Sequence, residues 1–138
     1  VVSEDFIFET ICHEMSHSLR WEKMPEYAET MFDGMILEGL AVALEEEAMI
    51  KLGRRNQQFF LREMQKTSQA EIDKIIAVLQ DNFEDKAYDY TKIFFNGDDI
   101  VPRWAWYKLG YYIVKQYIHQ TSQTIAQATL ASYKDFIL

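Results

Sequence analysis

Residues 13–17 of this 138-residue chain read His-Glu-Met-Ser-His, and two histidines four positions apart need a helix before they can act together. On an α-helix such residues stand one above the other, so His13 and His17 aim two imidazole nitrogens at one point. That is half of a tetrahedral zinc site. Glu14, turned by about 100° from His13, brings a carboxylate beside the metal, where it can take a proton from water. A random arrangement of this composition yields the H-E-x-x-H pattern roughly 0.6 % of the time. The motif asks for one helix here and for a second element that delivers a third ligand.

The first helix has a clear start in Ser3, a capping hydroxyl, followed by Glu4 and Asp5 at the positive end of the dipole, and is expected to run to about Arg20. Phe8, Cys12, Met15 and Leu19 make an apolar stripe expected to pack inward, with the histidines at its edge. Pro25 interrupts the pattern, and residues 21–29 read as a connection. A second helix is expected from Thr30, with Asp33 completing a capping arrangement, to Lys51 before Gly53. Its central part carries one acid, Glu38, among Gly34, Met35, Ala41 and Val42.

A carboxylate on such a face loses hydration and needs a partner. Glu38 can pair with an arginine, reach solvent past Gly34 and Gly39, or ligate zinc; with His13 and His17 in the same chain, ligation is favoured. Gly39 lets another backbone come close. Glu45, Glu46 and Glu47 read as a solvated face, although Glu45, like Asp33, is also a candidate to orient a ligating imidazole. Arg54 and Arg55 suit the negative end of the helix.

Beyond it, a short helix is expected over 56–66, then a helix capped by Ser68 with Glu71 that carries Ile72, Ile75, Ile76, Leu79 and Phe83 on one stripe. Residues 85–99 read as a loop with an Asn96-Gly97 turn and a short extended piece at 90–95. Pro102 opens a helix expected from Arg103 to about Gln120, with Trp104, Trp106, Tyr107, Tyr111, Tyr112 and Tyr117 on it. Tyr107 and Tyr111 share a face. Core packing with hydroxyls at the edge is the usual outcome; the alternative is that one hydroxyl reaches the zinc site and donates to a developing oxyanion. His119 is expected at the surface. A last helix over 124–133, with Ile125, Ala128 and Leu130, completes a mainly α chain that reads as one domain, residues 1–138.

A net charge of −8 disfavours nucleic acid and anionic membranes as partners. No apolar run approaches the ~18 residues of a membrane span. The lone Cys12 offers no internal disulfide, which favours a reduced, cytoplasmic setting.

Taken together, His13-Glu14-x-x-His17, Leu37-Glu38-Gly39-Leu40-Ala41, Phe94-Phe95-x-Gly97, Pro102 and Tyr107-x-x-Gly110-Tyr111-x-Ile113-Val114 resemble the predicted zinc-dependent proteases of the gluzincin, or thermolysin-like, group. The resemblance implies one zinc per chain on His13, His17 and Glu38, Glu14 as general base, and Tyr111, ahead of Tyr107, as oxyanion donor, with a peptide or protein as substrate. It implies a zincin-like helical domain. Such proteases place a β-sheet before the zinc helix, and only two residues precede Ser3, so most of that sheet is expected to be absent and the chain to be the C-terminal portion of a longer protein. The alternatives are a helical zinc module that binds without cutting and a zinc hydrolase of non-peptide substrates.

Overall fold

A computed structural model describes residues 2–26, 28–54, 59–89 and 91–138. Its described residues form six α-helices and three shorter helical turns, with no strand, so the chain is mainly α as the periodicities require. Helix α1 (Glu4–Lys23) starts on Ser3, whose hydroxyl accepts from the Phe6 amide. Helix α2 (Met31–Lys51) starts on Thr30 in a reciprocal box with Asp33. Asp33 is thereby committed to the cap, accepting from the amides of Glu29 and Thr30, and takes no part in orienting a histidine.

Helices α3 (Phe59–Lys66) and α4 (Gln69–Leu79) follow; the expected start of α3 at Asn56 and the companion of Arg54, Arg55, lie outside the described residues. Ser68 caps α4, but the Glu71 side chain leaves the box to meet Lys108 at 2.5 Å. Helix α5 (Ala105–Thr121) begins two residues later than expected, because Trp104 adopts a left-handed conformation (φ 58°) after the Pro102 turn. Helix α6 shrinks to Ile125–Ala128, after which the chain turns into a short 3-10 segment at Tyr133–Asp135 and leaves Leu130 exposed.

Two further expectations are corrected. Residues 92–96 form a π-helical turn rather than an extended piece, and Tyr90 lies outside the described residues. The turn buries Ile93 and Phe94, the latter against Trp106 at 4.0 Å between rings, a placement that a strand lacking a partner strand would not secure. Helix α1 turns a different face inward. Met15 and Leu19 are exposed, and the buried line is Glu9, Cys12, Ser16 and Arg20. Arg20 can occupy this face because acceptors await it: it donates to the carbonyls of Thr129 and Ala131, both at 2.8 Å, and pairs with Glu26 at 3.2 Å. The rotation carries both histidines toward α2.

Helix α2 is the spine, with α1 on one side and α5 on the other. Met35, Ile36 and Leu40 are fully buried, as are Trp106 and Leu109 across from them. Where α2 crosses α5, Gly39 meets Gly110 backbone to backbone: a Cβ on Gly39 would stand 2.3 Å from the Gly110 carbonyl, and one on Gly110 would stand 2.0 Å from the Met35 oxygen. Arg54, past the end of α2, pairs with Asp5 at 2.9 Å and so ties that end to the start of α1. Among the described residues, no helix is long and apolar enough to cross a membrane.

The Gly39–Gly110 contact leaves no room for a methyl group, and the neighbouring backbone cannot yield as a side chain can. Gly110→Ala is expected to lower unfolding stability by about 1–3 kcal/mol or more, read as a reduced urea midpoint at unchanged m-value. An unchanged midpoint would remove this contact as the reason for the glycine pair.

Candidate metal centre and its cleft

His13 and His17 project from α1 toward α2, where Glu38 and Glu45 project back. Glu38 and Glu45 are seven residues apart, two helical turns and about 10 Å of rise, and so lie on one face. His13 reaches both: Nε2 lies 3.1 Å from Glu38 Oε2, and Nδ1 lies 3.0 Å from Glu45 Oε1. His17 Nε2 lies 3.6 Å from the same Glu38 oxygen. The two imidazoles meet edge to face, 4.8 Å between centroids.

The ligand atoms of His13, His17 and Glu38 all fall within 4.8 Å of one another. Tetrahedral ligands at about 2.0–2.1 Å from zinc stand about 3.3 Å apart, close to the two nitrogen-to-carboxylate distances here. Two neutral nitrogens and one carboxylate are also the donor set that zinc accepts. The residues present fit the ion.

The electrostatics favour a cation at this point. Burial alone would push the His13 pKa down, but its hydrogen bonds to Glu38 and Glu45 outweigh that and raise it to about 10. Burial would raise Glu38, yet its hydrogen bonds to both histidines hold it at about 2. Glu45 is pushed up by burial, more than the His13 contact lowers it. Without metal, a proton on His13 supplies the positive charge between these carboxylates. His17 Nδ1 is buried and has no hydrogen-bond partner among the described residues.

Glu45 and Glu46 overturn the expectation of a solvated acidic face. Glu45 is buried against His13, and Glu46 is half-buried among Tyr111, Lys115 and Gln65; Glu47 alone makes the ordinary surface pair, with Lys51. The i to i+7 relation between Glu38 and Glu45 was the available signal for the former.

Glu14 is exposed and lines a cleft of about 230 Å³ beside His13 and Glu45, whose far wall is Phe60, Phe95, Trp104 and Tyr107. The cleft separates the two tyrosines. Tyr107 lines it, its ring edge-on to Phe60 at 4.8 Å and to Phe94 at 5.3 Å, so that α3 and the 92–96 turn fix its position. Tyr111 lines a separate hollow with Met64 and Lys108, and its hydroxyl donates to Glu46 at 2.9 Å. Burial, then the Glu46 charge, raises the pKa of that hydroxyl. His119 is exposed.

If Glu45 orients the His13 ring, Glu45→Ala is expected to weaken zinc affinity 10–100-fold in competition with a chromophoric chelator. Asp33→Ala is expected to leave that affinity unchanged while lowering stability by about 1 kcal/mol through the lost cap. Equal zinc affinity in the two variants would remove Glu45 from the role.

No curated protein and no solved structure matches the chain. A family model does, over residues 3–138, which include both histidines, Glu38 and the wall of the cleft. The chain belongs to the family DUF2268, predicted Zn-dependent proteases.

Proposed function

We propose that the chain is a zinc-dependent peptidase of the gluzincin type, with His13, His17 and Glu38 holding one zinc ion, Glu14 as general base and Tyr107 as oxyanion donor. The observation that carries this reading is the convergence of three ligand atoms within 4.8 Å, with one of the three residues, His13, on the wall of a cleft that Glu14 and Tyr107 also line. Two histidines from one helix and a glutamate from the next are the gluzincin ligand pattern.

Bound zinc supplies Lewis acidity, polarising the scissile carbonyl and making the attacking water more acidic. The remaining work falls to side chains. Glu14 accepts the proton of the attacking water as the carbon–oxygen bond forms, then passes it to the leaving amine as the carbon–nitrogen bond breaks. Its exposure at the cleft mouth gives it access to water on one side and substrate on the other.

The Tyr107 hydroxyl donates to the oxygen that gains negative charge in the tetrahedral state. Phe60, Phe94 and Phe95 clamp its ring, so little reorganisation is needed at that moment. Tyr111 takes a structural part through Glu46, which also pairs with Lys115 at 2.7 Å and so holds α5 to α2. Glu45 holds the His13 ring through Nδ1 and leaves Nε2 directed at the ligand point.

Zinc content and hydrolysis of a mixed-peptide library, read by mass spectrometry, test the reading together. One zinc per chain and cleavage lost in Glu14→Gln, with zinc retained, are expected. Tyr107→Phe should lower kcat by about 10²–10³-fold, whereas Tyr111→Phe should leave kcat near wild type and lower stability by about 1 kcal/mol. A wild-type chain that takes up no zinc, or a Glu14→Gln variant as active as wild type, would overturn the assignment.

A further inference from the structure

On the other side of the ligand point from Glu14, a second hollow of about 440 Å³ opens beside His17. It begins at the candidate metal centre: His17 is one of its walls, and Leu37, the neighbour of Glu38, is another. From there it runs between Trp21, on the last turn of α1, and the ring of Tyr133, with Ala28 at its rim. Its volume lies within the range of about 300–1,000 Å³ typical of small-ligand pockets, larger than any one amino-acid side chain needs.

The walls are pinned before any ligand arrives. Arg20 is buried; it stacks on the Tyr133 ring at 4.0 Å and holds the carbonyls of Thr129 and Ala131. Glu26 closes the arrangement, pairing with Arg20 and accepting from the Ser132 hydroxyl at 2.9 Å and the Tyr133 amide at 3.0 Å. This cluster staples the C-terminal segment to α1.

It also cancels its own charge. The terminal nitrogens of the guanidinium face a carboxylate and two carbonyls, and the rest of the lining is mostly apolar: an indole, a leucine, an alanine and a phenol ring, together with His17 and Ser18. A charged side chain entering here would lose hydration without gaining a counter-charge, whereas an apolar one would lose contact with water at no such penalty.

We propose that this hollow is a specificity pocket of the same site, receiving a large apolar or aromatic side chain of the substrate peptide on the His17 side of the scissile bond. The inference rests on the peptidase reading of the metal centre. It adds that the cleft on the Glu14 side holds the groups placed for chemistry, while the hollow on the His17 side selects the sequence. Two variants separate the hollow from the chemistry: Ala28→Trp fills it from an exposed loop position, and Trp21→Ala widens it, and neither residue belongs to the metal or proton-transfer set.

The test pairs binding with cleavage on the zinc-loaded chain. N-acetyl amides of phenylalanine, leucine, aspartate and lysine are titrated while the methyl resonances of Ala28 and Leu37 are followed by NMR. The phenylalanine and leucine amides should shift both; the charged amides should not, and Ala28→Trp should abolish the Leu37 shift. In a peptide library, kcat/KM should favour Phe, Leu or Trp over Asp or Lys by at least about tenfold at one position fixed relative to the cut, and Ala28→Trp should flatten that preference.

Cleavage with no apolar preference, or with one that Ala28→Trp leaves intact, overturns the pocket while the peptidase reading stands. Apolar amides that shift Leu37 and Ala28 in a chain that cleaves nothing overturn the peptidase reading and leave an apolar ligand pocket. Neither shifts nor cleavage overturns both.

Discussion

The grip of Glu38 and Glu45 on His13 is the contact on which the rest of the site depends. The histidine sits between carboxylates two turns apart on α2, so the pairing sets the azimuth of α1 as well as its height. Once that azimuth is set, His17 has nowhere to face but Glu38, and Glu14 is left on the cleft side. Two carboxylates in hydrogen-bond reach of one imidazole call for a positive charge. A proton on His13 provides one, and the two imidazole nitrogens and the carboxylate of His13, His17 and Glu38 are also a donor set that could hold a divalent ion.

This constraint explains a helix that otherwise looks inverted. Ile7, Ile11, Met15 and Leu19 of α1 are exposed while Glu9, Ser16 and Arg20 are buried, the reverse of what hydrophobic burial alone would choose. The orientation holds because charged residues near both ends of the helix are tied to distant parts of the chain. Arg20 reaches the C-terminal segment, and at the other end Arg54 reaches back to Asp5. Helix α2 can serve both sides at once because Glu38 points to α1 while the next residue, Gly39, lets α5 lie backbone to backbone against it.

That division also explains what could be read in advance. The start of α1 and both ends of α2 follow from local chemistry, Ser3, the Thr30–Asp33 box and Gly53, whereas α1 runs on to Lys23, past the expected end near Arg20. Glu38 stood out because an acid among Met35, Ala41 and Val42 needs a reason, and Gly39 because a glycine mid-helix needs a close neighbour. What local pattern could not reveal were features decided by partners distant in sequence. The inward face of α1 depends on carbonyls at 129 and 131, more than a hundred residues away. The burial of Glu45 depends on His13. Residues 92–96 have the composition of a strand, but without a partner strand they coil to bury Phe94 against Trp106.

The two tyrosines show the same limit at the level of chemistry. Tyr107 and Tyr111 are one helical turn apart and nearly equivalent by spacing, so their separation comes entirely from what surrounds them. Glu46, held by Lys115 and Gln65, captures the Tyr111 hydroxyl, whereas Phe60, Phe94 and Phe95 surround the Tyr107 ring and leave it on the cleft wall. The Tyr111 hydroxyl, tied to the half-buried Glu46, joins α5 to α2, whereas the aromatic-clamped ring of Tyr107 stands on the wall of the cleft that Glu14 also lines. The aromatic load of residues 104–117 thus has two uses. Trp106 fills the core behind α2, and Tyr107, one residue on, faces the cleft in front of it.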